Sequence, residues 1–268
     1  MFEDSKKIIV SGLQRSGHHA VAVWLAHQEY GVRDFQIQTL TQWFFFVEHF
    51  GGINYLLNNP LRMEEGEGKE HFDALFSEYE YTRPKTIVAT HGVDECSGEE
   101  IKDALSKSGV FDVWSDKVIV LRDFYNWAAS CLGMTLRDKD KPLEQMFNET
   151  HIETYIDHCE RYLDKDPDFD FVLFNEWSQN KSYRQEVAES LGLDFTDAAR
   201  EQASIFGGGS SFDGLDYLKK ASHMKVNERY LQVWDNPVYQ DMIKRSPRAI
   251  NISERIFYEL CNKTHAVS

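Results

Sequence analysis

Apolar residues gather in short, evenly spaced runs along the chain. β-rich stretches recur at 7–11, 86–90, 117–121 and 170–174, each bounded by polar residues. Between and beside them, apolar positions repeat with helical spacing at 16–29, 98–107, 125–136, 144–163 and 181–191. Strands alternating with helices imply crossover connections and a parallel sheet covered on both faces. The pattern predicts an α/β fold, a three-layer α/β/α arrangement around a central, mainly parallel sheet. In such a sheet ligands collect outside the carboxyl ends of the strands. Residues 12–19, His91, Arg122 and Asn175 all fall at predicted strand ends and so are expected to share one site. Residues 31–85 are less regular and read as an insertion or lid, with a loop at 58–71. The last third, 198–263, reads as a Gly/Ser loop followed by helices.

The segment Gly12-Leu-Gln-Arg-Ser-Gly-His-His-Ala-Val21 follows the apolar run Lys7-Ile-Ile-Val10 and precedes a helical pattern at Val21, Trp24 and Leu25. That context predicts a P-loop-like phosphate cradle, in which backbone N–H groups and a helix N-terminus face an anion. Gly12 and Gly17 permit the tight path. The Lys and Ser/Thr that a nucleotide hydrolase places after the second glycine are here His18 and His19. Arg15 is the fixed cation of the loop. The pattern therefore speaks against Mg-ATP and for another phosphorylated ligand.

Val118-Ile-Val-Leu121 runs into Arg122-Asp-Phe-Tyr-Asn-Trp-Ala-Ala-Ser130. Here the chain resembles the sulfotransferases that use 3′-phosphoadenylyl sulfate (PAPS). Members of that family carry R-S-G or K-S-G after the first strand, for the 5′-phosphosulfate. A later strand ends in R-[DN]-P-x-x-x-x-x-S, for the 3′-phosphate. Arg122 and Ser130 keep the spacing, with Phe124 in the place of the proline.

The resemblance implies transfer of a sulfuryl group from PAPS to a hydroxyl of a small-molecule or carbohydrate acceptor, leaving adenosine 3′,5′-bisphosphate (PAP), with no metal. It implies that Arg15 stabilises charge at the bridging oxygen, and that Ser16, Gly17, His18 and His19 donate backbone N–H bonds to the 5′-phosphate. Arg122 and Ser130 are expected on the 3′-phosphate. Thr86-Ile-Val-Ala-Thr-His-Gly92 looks like the strand that ends in K-T-H in the cytosolic branch, which makes His91 the candidate general base. Ala89 stands where that motif has lysine. A buried strand-end histidine bonded to a carbonyl is the plain alternative for His91, and Glu29 or Glu48 are alternative bases.

Phe206-Gly-Gly-Gly-Ser-Ser-Phe212 resembles, loosely, the family's late loop over the bisphosphate, so 205–215 is expected to close on the cofactor through Gly208, Ser210 and Ser211. A flexible linker is the alternative for such a run. Phe171-Val-Leu-Phe-Asn-Glu-Trp177 resembles the strand near adenine, with Phe174 the ring residue. Asp123 could pair Arg122 in a surface salt bridge, and Trp127, Ala128 and Ala129 are read as core-facing.

Composition sets outer bounds. A formal net charge of −15 and the absence of a basic stripe argue against a nucleic-acid partner. Cys96, Cys131, Cys159 and Cys261 are scattered without zinc spacing and read as reduced thiols of a cytoplasmic protein. His151 and His158 are placed on one face of a helix by their spacing, and no metal is assigned. The apolar cluster Trp43-Phe-Phe-Phe-Val47 is too short to span a bilayer, and the N-terminus runs directly into the first strand, so neither a transmembrane segment nor a signal peptide is expected. With no linker or repeat, one domain over 1–268 is expected, 31–85 lying on the acceptor side. A P-loop kinase of a small metabolite, or a non-catalytic nucleotide-binding protein, are the competing functions.

Overall fold

The computed structural model describes residues 6–30, 86–92, 116–201, 210–214, 216–217 and 220–264. The expected helix at 98–107, the segment 31–85 with Glu48, and Gly208 lie outside them, as do Cys96 and the side chains of Glu29, His91 and Cys261. Four strands form one sheet in the order β2-β1-β3-β4, where β1 is Lys6–Gly12, β2 Thr86–Gly92, β3 Asp116–Leu121 and β4 Asp170–Leu173. Every pairing is parallel: Ser11 lies opposite both His91 and Ile119, and Leu121 opposite Leu173. The chain moves from β1 to β2 on one side and then to β3 on the other. The strand order thus reverses at β1/β3, the point where open parallel sheets leave a crevice for ligands.

Side-chain alternation along β3 builds the two covering layers. Val118 and Val120 point with Ile8, Val10 and Val172 into a core closed by helix α1 (His18–Tyr30) through Val21, Trp24 and Leu25. Ile119, Leu121 and Leu173 point the other way, into a second core with α2 (Phe124–Arg137), α3 (Glu149–Asp164) and the C-terminal helices. One-residue alternation feeding two cores is the signature of a strand buried on both faces. The α/β/α expectation is met.

Helix boundaries follow capping chemistry more closely than periodicity. The run 144–163 divides into a short 3₁₀ turn, Leu143–Gln145, and α3, because the Asn148 side chain accepts from the His151 amide and starts a new helix. The expected strand 170–174 stops at Leu173, and Phe174 already opens α4 (Phe174–Gln179), followed by α5 (Lys181–Ser190). Residues 16 and 17 belong to the cradle loop, not to α1. The expected C-terminal helices are α6 (Arg229–Val233), α7 (Pro237–Lys244) and α8 (Pro247–Thr264).

Trp127 stacks on Tyr155 with rings 5.3 Å apart and 15° from parallel, and Ala128 and Ala129 are fully buried, as expected of α2's core face. This aromatic cluster also supports the site. Trp127 Nε1 donates to the Gln14 carbonyl (2.9 Å), and the Tyr155 hydroxyl donates to the Arg122 carbonyl (2.9 Å). His151 and His158 are both buried on α3. Burial pushes His158 down to about 4, so at neutral pH it is an uncharged core residue. Cys131 and Cys159 are buried free thiols.

Candidate functional site

The loop after β1 is shaped by two left-handed residues, Arg15 at φ 66° and Gly17 at φ 96°. The Ser16 amide donates to the Leu13 carbonyl (3.0 Å), closing the turn. That amide was expected to face a phosphate; it is turned inward by its own loop. The Ser16 hydroxyl instead lies 3.3 Å from His18 Nδ1, and the His18 and His19 rings meet edge-on at 4.3 Å. His18 is buried and His19 is half-buried.

Gly12 and Gly17 are required for different reasons. A Cβ on Gly12 would meet Ser16 Oγ at 2.6 Å and the Val120 carbonyl at 3.2 Å, so the loop approaches β3 too closely for a side chain. At Gly17 a Cβ would enter the Phe174 ring, and the positive φ adds a second restriction. Phe174 thus sits at the site, but as packing: it stacks on Trp177 (5.5 Å, 24°), lies 5.3 Å from the Arg122 guanidinium, and is only 6% exposed. Its ring packs between Trp177 and the Arg122 guanidinium.

Arg122 leaves the end of β3 and crosses the β1/β3 crevice. It donates to the Arg15 carbonyl (3.1 Å), to Ser130 Oγ (2.8 Å), and to the Val226 carbonyl. The spacing of eight between Arg122 and Ser130 works because Ser130 lies two turns into α2, on the side facing back toward the strand end. Asp123 does not form the surface salt bridge considered from sequence. Its carboxylate caps α2, accepting from Asn126 N (3.0 Å), and also accepts from the side-chain amides of Asn126 and Asn175. It is 2% exposed, and these neutral donors satisfy it.

Two guanidiniums that the sequence gave no reason to choose complete the cluster. Arg229, at the start of α6, donates to Ser210 Oγ (2.9 Å), approaches Ser130 Oγ at 3.4 Å, and pairs with Asp213 at 3.6 Å. Arg137, at the end of α2, donates to the Ser210 carbonyl. Arg15 Nε donates to Ser211 Oγ at 2.8 Å. The segment 210–214 is therefore tied to three of the four arginines, and Phe212 is seated between Gly133 and Arg229. Ser210 and Ser211 are thus brought against the arginines of this cluster.

Electrostatics gives the cluster its chemistry. Burial, with its neighbouring guanidiniums, pushes Arg229 down to about 9; burial likewise lowers Arg122 and Arg15 to about 10. In each case loss of hydration dominates, and each arginine is further depressed by another of the cluster. The buried Nε atoms of Arg122 and Arg229 have no hydrogen-bond partner. Like charges held together out of water, with donors left over, are chemically suited to a multiply charged anion.

His91 is the penultimate residue of β2, opposite Ser11 and thus one strand from the cradle. Backbone register brings it to the same sheet edge as Arg15 and Arg122. No group of three or more potential metal ligands occurs among the described residues. No helix among them is long and apolar enough to cross a membrane.

No protein-family model matches the chain, and no curated protein matches it in sequence. Among solved structures, a retinol dehydratase with androsterone and the inactive cofactor PAP is similar at a TM-score of 0.45 and 13% identity, over 93% of this chain and 81% of that one. A retinol dehydratase in a complex with retinol and PAP is similar at a TM-score of 0.47 and 15% identity, with the same coverage.

Proposed function

We propose that this chain is a PAPS-dependent sulfotransferase acting on a hydroxyl acceptor. The observation that carries the reading is the pairing of Arg122 and Arg229 on the single hydroxyl of Ser130, beside the P-loop-like cradle. A nucleotide carrying phosphate groups at both its 5′ and 3′ positions needs two such anion sites. A 5′-nucleotide needs only the cradle, which leaves a buried cationic pair without purpose. For the kinase alternative the cradle lacks its lysine and hydroxyl, and the second pocket has no ligand.

The residues fit the donor. Arg122, Ser130 and Arg229 would hold the 3′-phosphate, their unpartnered Nε atoms adding donors, while the cradle of Gly12, Gly17, His18 and His19 would hold the 5′ end. When bound, the donor supplies a sulfuryl group on a phosphate leaving group. Arg15 keeps a cation at the cradle, where negative charge grows on the bridging oxygen in an in-line transfer. Because that charge grows during the reaction, a fixed guanidinium favours the transition state over the ground state. His91 is assigned the acceptor proton, its place near the end of β2, one strand from the cradle, being the support. Segment 210–214 would close over the nucleotide, its serines exchanging contacts with the arginines. The acceptor is a small molecule or a glycan, bound on the side of 31–85, and the enzyme is read as cytoplasmic.

Sulfuryl transfer from ³⁵S-labelled PAPS to a panel of phenols, alcohols and sugars tests the activity. His91→Ala is expected to lower turnover by roughly 10²–10⁴-fold with PAP affinity retained; a variant at full turnover removes His91 from the mechanism.

A further inference from the structure

Arg229 is held in an unfavourable place. Its guanidinium is 6% exposed, shares the Ser130 hydroxyl with another cation, and has one carboxylate, Asp213, at 3.6 Å. Without restraint, repulsion and hydration would carry it outward. The restraint lies in the backbone on either side of it. Asn126, 2% exposed in the first turn of α2, donates from its side-chain amide to the Asn227 carbonyl (3.0 Å) and accepts on Oδ1 from the Tyr230 amide (3.3 Å). Those two bonds bracket Arg229, two residues before it and one after.

The Asn126 side chain is itself fixed. Its remaining N–H is directed at the Asp123 carboxylate, with Oδ1 at 3.1 Å and Oδ2 at 3.0 Å. Reversing the amide would set its oxygen against that carboxylate and against the Asn227 carbonyl, so the network permits one orientation. Asn175 then locks Asp123 from the first turn of α4, at 2.7 Å. Asn227 is anchored in turn on Ser178 Oγ (3.0 Å). The turn carrying Arg229 is thus bolted to the end of the strand that carries Arg122.

We infer that Asn126 is the positioning residue of the second guanidinium: it holds the 227–230 turn so that Arg229 meets Arg122 over Ser130, and through it sets the preference for a ligand with a second phosphate. Asn126 itself is buried behind the turn and hydrogen-bonds only to protein. The inference rests on the proposed function for the identity of the ligand, but not for the geometry.

The test is a double-mutant cycle read by calorimetry with PAP and 5′-AMP. Wild-type protein is expected to bind PAP more tightly than 5′-AMP. Arg229→Ala is expected to cut that preference by roughly ten- to a hundredfold, the range for a hydrogen bond to a charged group. Asn126→Ala is expected to cut it by a similar factor, leaving 5′-AMP affinity within about twofold of wild type. The double variant is expected to lose no more than Arg229→Ala alone, since Asn126 acts through Arg229. Losses that multiply, or an Asn126→Ala protein with the wild-type preference, would overturn the inference. Should Asn126→Ala not fold, Asn126→Ser takes its place; its hydroxyl cannot bridge both backbone groups, and the same loss is expected. A crystal structure of the Asn126 variant separates this inference from the function. Arg229 displaced from Ser130 and Ser210 supports positioning even if wild-type protein shows no preference for PAP, a result that would defeat the sulfotransferase reading alone. Arg229 unmoved in that crystal sinks the positioning role whatever ligand the pocket takes.

Discussion

Arg15→Ala is expected to reduce sulfuryl transfer by roughly 10²–10³-fold in kcat, the scale of removing one preorganised charge-stabilising donor. The binding of PAP should change far less. The Arg15 carbonyl, not its side chain, accepts from Arg122, so the variant leaves the proposed 3′-phosphate pocket assembled. The side chain hydrogen-bonds segment 210–214 through Ser211. A loss confined to kcat would mark an interaction made in the transition state, whereas a rise in KM at unchanged kcat would mark simple ground-state binding. Arg15→Lys should recover part of the rate, because a point charge still serves the leaving oxygen. The positive φ of residue 15 is unfavourable for all three side chains, so strain does not distinguish the variants.

Gly17→Ala is expected to have the largest effect on stability of any single methyl added to the site. Two costs combine: a left-handed backbone at φ 96°, and a Cβ driven into the Phe174 ring. Backbone strain and overpacking together amount to roughly 2–5 kcal/mol. Phe174 cannot simply step aside, since Trp177 stacks on it and the Arg122 guanidinium lies over it. The two costs can be separated. In a Phe174→Ala background, Gly17→Ala should lose the steric part and keep the backbone part, so the substitutions should couple favourably in thermal or urea unfolding. Simple additivity would show that the ring is not what excludes a side chain at residue 17. PAP binding should weaken in parallel, because the loop that gives way is the one that faces the 5′ end.

These two residues also show how far sequence reasoning reaches. The loop was legible because a strand, a glycine-bounded turn and a helix start occur together, and backbone geometry leaves few alternatives. Arg122 and Ser130 were legible through their resemblance to the sulfotransferase motif R-[DN]-P-x-x-x-x-x-S, and the two meet because Ser130 lies two turns into the helix that follows the strand. The two-sided burial of β3 followed from its unbroken apolar run. What remained hidden has a common cause. Arg229 lies 99 residues beyond Ser130, in a charged stretch that reads as solvated surface, and no local rule carries a side chain across that interval. Arg137, at the end of a helix, looks like an ordinary companion of the helix dipole. Asn126 looks like a surface position of an amphipathic helix, yet it is buried by the C-terminal segment that folds over it.

The corrections have physical reasons too. A surface salt bridge to Arg122 was only the alternative reading of Asp123, and it does not form because a carboxylate one residue before a helix serves the free amides of its first turn. Phe174 seemed to continue a strand, but the polar Asn175 and Glu176 that follow it favour a helix start at the sheet edge. Ser16 was expected to offer its amide outward, and the tightness of the turn instead commits it to Leu13.

The account stands on one claim, that Arg122, Arg229 and Ser130 form a pocket for a second phosphate group on a nucleotide. Calorimetry of the wild-type protein with PAP, 5′-AMP and ATP, without added metal, tests it most directly. PAP is expected to bind at least tenfold more tightly than 5′-AMP, with ATP gaining nothing from its further phosphates, and Arg122→Ala is expected to bring PAP down to the level of 5′-AMP. Equal affinity for PAP and 5′-AMP, or tighter binding of ATP than of PAP, would contradict it.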